Sequence, residues 1–202
     1  MPIVHIICAT LKDDASEEAV THALDLGRAL PSAEGVQHSI LGRSPQHLVA
    51  ATWLEGRAAL EPFAASPVHM AFIMRGLAPC IRGMWSAAAE SDVVPPRDVE
   101  SMWVFALQSQ ETLFEWQVRD LLAAVDGLPG LAAVGVTVEE RERYRAGGVV
   151  CLVPGEAALF DPALGAARAE WGDLAESIVE CKVEVIPLRP GADTEPGAVH
   201  DR

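Results

Sequence analysis

Long apolar runs are missing from this 202-residue chain: none approaches the roughly 20 residues that a membrane-spanning helix needs. Basic side chains are scarce as well, with 15 Lys and Arg against 29 Asp and Glu, giving a net charge of −14 and an isoelectric point near 4.7. A phosphate backbone or an anionic bilayer repels such a surface, which argues against nucleic-acid and membrane partners. The opening Met1-Pro2-Ile3-Val4-His5 carries no basic stretch of the kind that starts a secretory signal, so a cytoplasmic location is expected. Cysteine is limited to Cys8, Cys80, Cys151 and Cys181, far apart and each inside an apolar run. With no C-x-x-C spacing for zinc or redox work, these read as small buried thiols. No G-x-G-x-x-G, Walker loop or G-x-S-x-G occurs, leaving nucleotide, flavin and serine-hydrolase readings without support. Neither H-x-H nor H-E-x-x-H spacing occurs, so no metal is expected.

What the chain does have is apolar material, 50% of residues at a mean hydropathy of +0.20, ample for a core. That material is arranged twice. Residues 2–11 (PIVHIICATL) read as a strand; Asp14 and Glu17 read as a capping box before helical spacing at Val20, Ala23, Leu24, Gly27 and Leu30. Residues 35–42 and 47–54 read as strands around a turn at Gly42–Pro45, and 57–78 as a helix broken by Pro62 and Pro67. Segment 81–89 closes a β-α-β-β-α-β unit.

From residue 99 the order recurs: strand 99–108, helix 111–127, strand 128–138, strand 149–154, helix 156–175, strand 177–186. LPGLAAVGVTV (128–138) resembles LPSAEGVQHSI (30–40), and Asp161-Pro162-Ala163-Leu164 matches Ser66-Pro67-Val68-His69. The second half is thus a diverged copy of the first. The expected organisation is a first repeat at 1–92, a Pro-rich linker at 93–98, a second repeat at 99–188 and a frayed Pro/Gly-rich tail at 189–202.

Each unit makes a sheet with both helices on one face. The other face also needs cover, because strands such as 47–53 are apolar on both sides. The expected fold class is therefore α+β: two ferredoxin-like repeats packed sheet to sheet as a pseudodimeric barrel, with a pocket between the sheets. Expected as neighbours are the first and third strands, running parallel, so that His5 and His47 lie together near their beginnings.

At His5 through Leu11, at Ala15-Ser16-Glu17-Glu18, at Leu30-Pro31 and Gly35-Val36, and at Ser66-Pro67-Val68-His69-Met70-Ala71-Phe72, the first half resembles the stress-responsive A/B-barrel (Dabb) family of the dimeric α+β barrel superfamily. That family opens on V-x-H-hydrophobic and carries an H-P-x-H-x-x-F-like segment on its second helix. Here Pro67, His69 and Phe72 are kept and Ser66 replaces the first histidine. Members pair as homodimers, so two copies in one chain imply an internal pseudodimer, alone or as part of a further homodimer. The superfamily includes cofactor-free polyketide cyclases, small monooxygenases and binding proteins. Resemblance to the cyclases implies that His69 is a general base and that His5 and His47 line its cavity. The tyrosine that supports the base in that family falls on or near Phe63, which lacks a hydroxyl.

Histidine suits proton transfer because its ordinary pKa lies near operating pH. His22 and His200 read as solvent residues, and His38 alternates with Val36 and Ile40. In the second half Trp103 stands for His5 and Leu164 for His69, which implies one site per chain. Trp53, Trp85 and Trp103 lie on expected strands and Trp116 and Trp171 on expected helices, while Arg43, Arg57, Arg75 and Arg82 read mainly as surface charges. The expected function is a cofactor-independent enzyme for an aromatic or polyketide-like substrate. In it His69 takes a proton α to a carbonyl, His5 donates to the enolate oxygen, and His47, Trp53, Phe63, Phe72, Trp85 and Trp103 contact the ligand. A cofactor-free monooxygenase and a non-catalytic carrier of an apolar ligand are the alternatives.

Overall fold

The structure, a computed structural model, describes residues 1–108, 115–138 and 144–186. The tail expected from residue 189, His200 and the first turn of the helix expected at 111 lie outside them. The first repeat runs β1 (Ile3–Leu11), α1 (Glu17–Gly27), β2 (Val36–Arg43), β3 (His47–Leu54), α2 (Arg57–Ala65), α3 (Pro67–Ala71), a π-helical turn (Phe72–Leu77), α4 (Ala78–Cys80) and β4 (Ile81–Glu90). The second runs β5 (Ser101–Gln108), α5 (Glu115–Asp126), β6 (Leu131–Val136), β7 (Tyr144–Leu152), α6 (Ala157–Trp171) and β8 (Ile178–Val185). The fold is α+β, built from two ferredoxin-like repeats.

Local chemistry sets several boundaries. The α1 cap is Ser16, whose Oγ accepts from Ala19 N–H at 3.2 Å, so the box expected from Asp14 is replaced by a residue two positions on. Ser66 ends α2 in an extended conformation because the following Pro67 disfavours a helical one. It then caps α3, accepting from His69 N–H at 3.2 Å.

Among the described residues, all strands join one eight-stranded sheet in the order β4-β1-β3-β2-β8-β5-β7-β6. One seam between the repeats pairs Gly42 with Val185 and Arg43 with Glu184. The other is a bridge between Ala89 and Thr137, reinforced by Val138 N–H to the Ala88 carbonyl at 2.9 Å. With both edges joined, the sheet curls into a barrel. A glycine sits at each seam for steric reasons. A Cβ on Gly42 would lie 2.3 Å from Val183 Cγ2, and one on Gly135 would lie 2.3 Å from the Glu90 carbonyl oxygen.

β1 and β3 are neighbours, as expected, but antiparallel: His5 faces Thr52, and His47 faces Thr10 at the far end. The cause is connectivity. The α1 crossover leaves β1 and β2 running the same way, and the tight turn after β2 sends β3 back. His5 and His47 are thereby separated.

The barrel interior is core, not pocket. Val4, Ile6, Cys8, Ile40, Val49, Trp53, Met102, Val104, Val149 and Val183 from both halves pack together there. The two apolar sheet faces meet directly and large side chains such as Trp53 and Met102 fill the gap. Cys8 and Cys181 hydrogen-bond in this interior; that bond, then burial, raises the Cys8 thiol, while burial pushes Cys151 up to about 12. All four cysteines are free and buried. On the outer faces, helices cover separate cores: one holding Ile7, Leu24, Leu41, Leu60, Phe63 and Phe72, the other Trp103, Phe105, Leu121, Val150, Phe160 and Leu164. No helix among the described residues is long and apolar enough to cross a membrane.

Candidate functional site

The residues singled out from sequence divide among these layers. Residues alternate along β1, so Val4, Ile6 and Cys8 face the interior while Ile3, His5 and Ile7 face the helices. His5 therefore lies between the first sheet and α2–α3. There it meets Phe63, ring centroids 5.8 Å apart, and His69, edge-on at 5.9 Å. Phe63 and His69 complete the cluster at 4.8 Å.

The break in the helix is what orients His69. With α2 ended at Ser66, the Ala64 carbonyl has no helical donor and accepts from the His69 ring at 2.9 Å. A carbonyl only accepts, so Nδ1 of His69 carries the proton and the neutral ring presents Nε2 as a bare lone pair. That Nε2 is buried with no hydrogen-bond partner, as is Nδ1 of His5. Buried polar atoms without partners are rare enough to need a reason. Burial lowers the His69 pKa against the opposing effect of the Ala64 carbonyl, and burial followed by the nearby His69 lowers His5 to about 4. Both rings are neutral near pH 7.

The same layer holds two hydroxyls that no sequence motif marks. Thr52 is 1% exposed and sits directly opposite His5, and Ser39, 5% exposed, sits opposite Thr52. Their oxygens are 3.1 Å apart. A polar row His5–Thr52–Ser39 thus crosses three strands beneath the helices. Thr52 is hidden in the sequence because a β-branched threonine in HLVAATWL looks like strand filler. The available signal is its parity with Ala50 and Leu54, on the helix-facing side with His5.

The remaining residues lie elsewhere. His47 opens β3 beside the β2–β3 turn, where its backbone N–H donates to Ser44 Oγ at 3.1 Å; burial, then Arg82, lowers its pKa. Trp53 faces the interior, its indole N–H donating to the Val93 carbonyl at 2.9 Å and its ring meeting His38 at 5.8 Å. Trp85 meets Tyr144 at 6.0 Å, and Phe72 lies under α1 beside Gly27. Trp103 occupies the second helical core, stacked on Phe105 at 4.8 Å and tilted on Phe160 at 5.8 Å, its indole N–H donating to Glu180 at 2.6 Å. Among the arginines, Arg43 makes a bidentate pair with Glu17 at 2.6 and 2.7 Å, and Arg82 meets Asp13 at 3.2 Å. Among the described residues no group of His, Cys, Asp and Glu side chains converges as a metal site. A cleft of about 370 Å³ at the β2–β8 seam is lined by His38, Ser39, Ile40, Arg97, Val99 and Val185, among others.

No family model and no curated protein matches the chain. Solved structures do. An anthrone oxidase-like protein superposes over 92% of both chains with a TM-score of 0.61 at 11% identity. The likeness is one of fold. A proposed monooxygenase from Fusobacterium nucleatum covers 91% of both chains at 12% identity with a TM-score of 0.50, and one from Lactobacillus acidophilus matches at the same identity and score. These alignments take in nearly the whole of each chain, so the likeness extends through both repeats.

Proposed function

We propose that the chain is a small cofactor-independent enzyme of the Dabb type, acting on a planar aromatic or polyketide-like ketone from a single site in its first repeat. One observation carries this reading: the buried, unpartnered Nε2 of His69, its tautomer set by the Ala64 carbonyl. An imidazole held neutral, with its lone pair free and its pKa lowered, is poised as a general base.

His69 Nε2 takes a proton from the carbon activated by the ketone. The C–H electron pair delocalises onto the carbonyl oxygen as an enolate, and His5 is placed to donate to that oxygen. The fate of the carbanion decides the reaction. If it attacks a second carbonyl of the same molecule, the outcome is cyclisation. If it passes electrons to dioxygen, a C–O bond forms and loss of water leaves a new carbonyl, with dioxygen as the oxidant. The full-length likeness to an anthrone oxidase-like protein supports the second course.

The test uses anthrone, whose methylene ionises onto its ketone oxygen. Wild-type protein should accelerate deuterium exchange of that methylene without air and oxygen uptake with air. His69→Ala should lower both by about 10²–10⁴-fold. Exchange without oxygen uptake would favour cyclisation; equal rates in His69→Ala and wild type would make the chain a binding protein instead.

A further inference from the structure

Two hydroxyls in the helix-facing layer have no part in proton transfer at His69. Ser39 Oγ and Thr52 Oγ1 lie 3.1 Å apart, and either can donate to the other. One bond uses one of their two protons, so the pair keeps one O–H to give. In the same layer His5 Nδ1 and His69 Nε2 also lack partners. Directly opposed residues on antiparallel strands have Cβ atoms about 4.5–5.5 Å apart, which puts Thr52 beside His5.

The second repeat provides an internal control. On its corresponding strands, Trp103 faces Val150 and Val150 faces Ala132, all buried in the helix-covered core. By strand register, rather than by the sequence match of 30–40 with 128–138, the positions that read His5–Thr52–Ser39 in one repeat read Trp103–Val150–Ala132 in the other. The fold therefore accommodates an apolar row at this place, and hydroxyls are not needed to build it. Burying them costs desolvation that a valine and an alanine avoid. The helical cover over the polar row is also the irregular one, interrupted at Ser66 and followed by the π-helical turn Phe72–Leu77, a feature frequent at functional sites.

Building on the base assigned to His69, we propose that the Ser39–Thr52 hydroxyl pair binds the ketone oxygen of the substrate and so selects oxygenated planar aromatics over the bare hydrocarbon. The spare O–H donates to the oxygen on which negative charge develops, next to His5, while His69 faces the acidic carbon. Removing both hydroxyls together leaves neither one orphaned, so fold stability is preserved while oxygen recognition is lost.

The experiment is equilibrium binding without air, comparing anthrone with 9,10-dihydroanthracene, which has the same ring skeleton and no oxygen. Wild type should bind anthrone at least about tenfold more tightly. The double variant Ser39→Ala/Thr52→Val, which installs the second repeat's residues, should keep its thermal midpoint and bind the two molecules alike. Thr52→Ser should retain the preference. His69→Ala should also retain it while losing proton exchange, which separates this inference from the assignment of the base. Absence of any preference in wild type, an unchanged preference in the double variant, or collapse of its fold would each overturn the proposal.

Discussion

The two repeats solve the same packing problem with opposite chemistry. In the second, the aromatic cluster between sheet and helices is closed and its ring nitrogen is satisfied, although Ser101 Oγ at the start of β5 is buried without a partner. Trp103 lies between Phe105 and Phe160, its N–H is taken by Glu180, Glu180 also pairs with Arg168, and Lys182 binds Asp161 at 2.6 Å while lying over the Phe160 ring. In the first, Phe63 plays the part of Phe160, but the ring on the strand is His5 and the helix adds His69, each with a buried nitrogen left unpaired. Duplication lets one copy carry stability while the other holds groups that a purely structural core excludes. A ring cluster with its nitrogen satisfied beside one with two nitrogens unsatisfied is the pattern expected of a divided workload.

That contrast can be broken most sharply at Phe160. Phe160→Ala should cost about 3–5 kcal/mol, measured as a denaturant midpoint, because a fully buried aromatic leaves a cavity. Deuterium exchange of anthrone by the fraction still folded should be unaffected; a specific loss would place the working site in the second repeat.

Acid distinguishes the halves next. His5 has a folded pKa of about 4 against 6.5 unfolded, so below pH 6.5 the unfolded chain gains a proton that the folded chain refuses. Stability conferred by the neutral ring is complete above 6.5 and is lost as pH falls toward 4, to a total of roughly 3 kcal/mol. His69, lowered in the same direction, adds to the slope. His5→Phe should flatten the dependence, measured by denaturation at pH 7, 5.5 and 4; an unchanged slope would mean that His5 is not held neutral. For the same reason the acid limb of any His69-dependent rate should have its midpoint below 6.5.

The smallest effect concerns the satisfied side. Glu180→Gln keeps an acceptor for the Trp103 indole and loses the charge that assists this bond and pairs with Arg168, a change of about 1 kcal/mol. Its effect on anthrone exchange should be nil.

The architecture was largely legible in the sequence because apolar spacing and the copied segments report on burial, which this fold imposes twice. Where sequence and structure part, the missing information is three-dimensional. His5 and His47 both sit near strand beginnings, yet whether strands run together or opposed depends on how the connections pass, and the antiparallel pairing sets these histidines apart. The strand expected at 149–154 spans Tyr144–Leu152, because Gly147 and Gly148 serve close approach within the sheet: a Cβ on Gly148 would lie 2.5 Å from the Ala133 carbonyl. Trp53, Trp85 and Trp103 share an aromatic character and nothing else; strand alternation and repeat membership send them to different cores. His5 and His69 stand out in the sequence because each lies in its own short motif, whereas Ser39 and Thr52 belong to no motif and become visible only through strand register.

The seam between β2 and β8 also orders events during synthesis. Within the first repeat, β1, β3, β2 and β4 find one another over modest separations, but the outer edge of β2 meets its partner only when β8, the last strand described, has been made. Until then a nascent chain carries an open strand edge and an uncovered apolar sheet face, the two surfaces most prone to pair with a neighbouring copy. Arg43 lies at that edge, and its bidentate partner Glu17 comes from α1 in the same repeat, so this charged pair can form before β8 exists. The first repeat thus has a charged group of its own at the margin where a ribosome-bound intermediate is most exposed to the wrong partner.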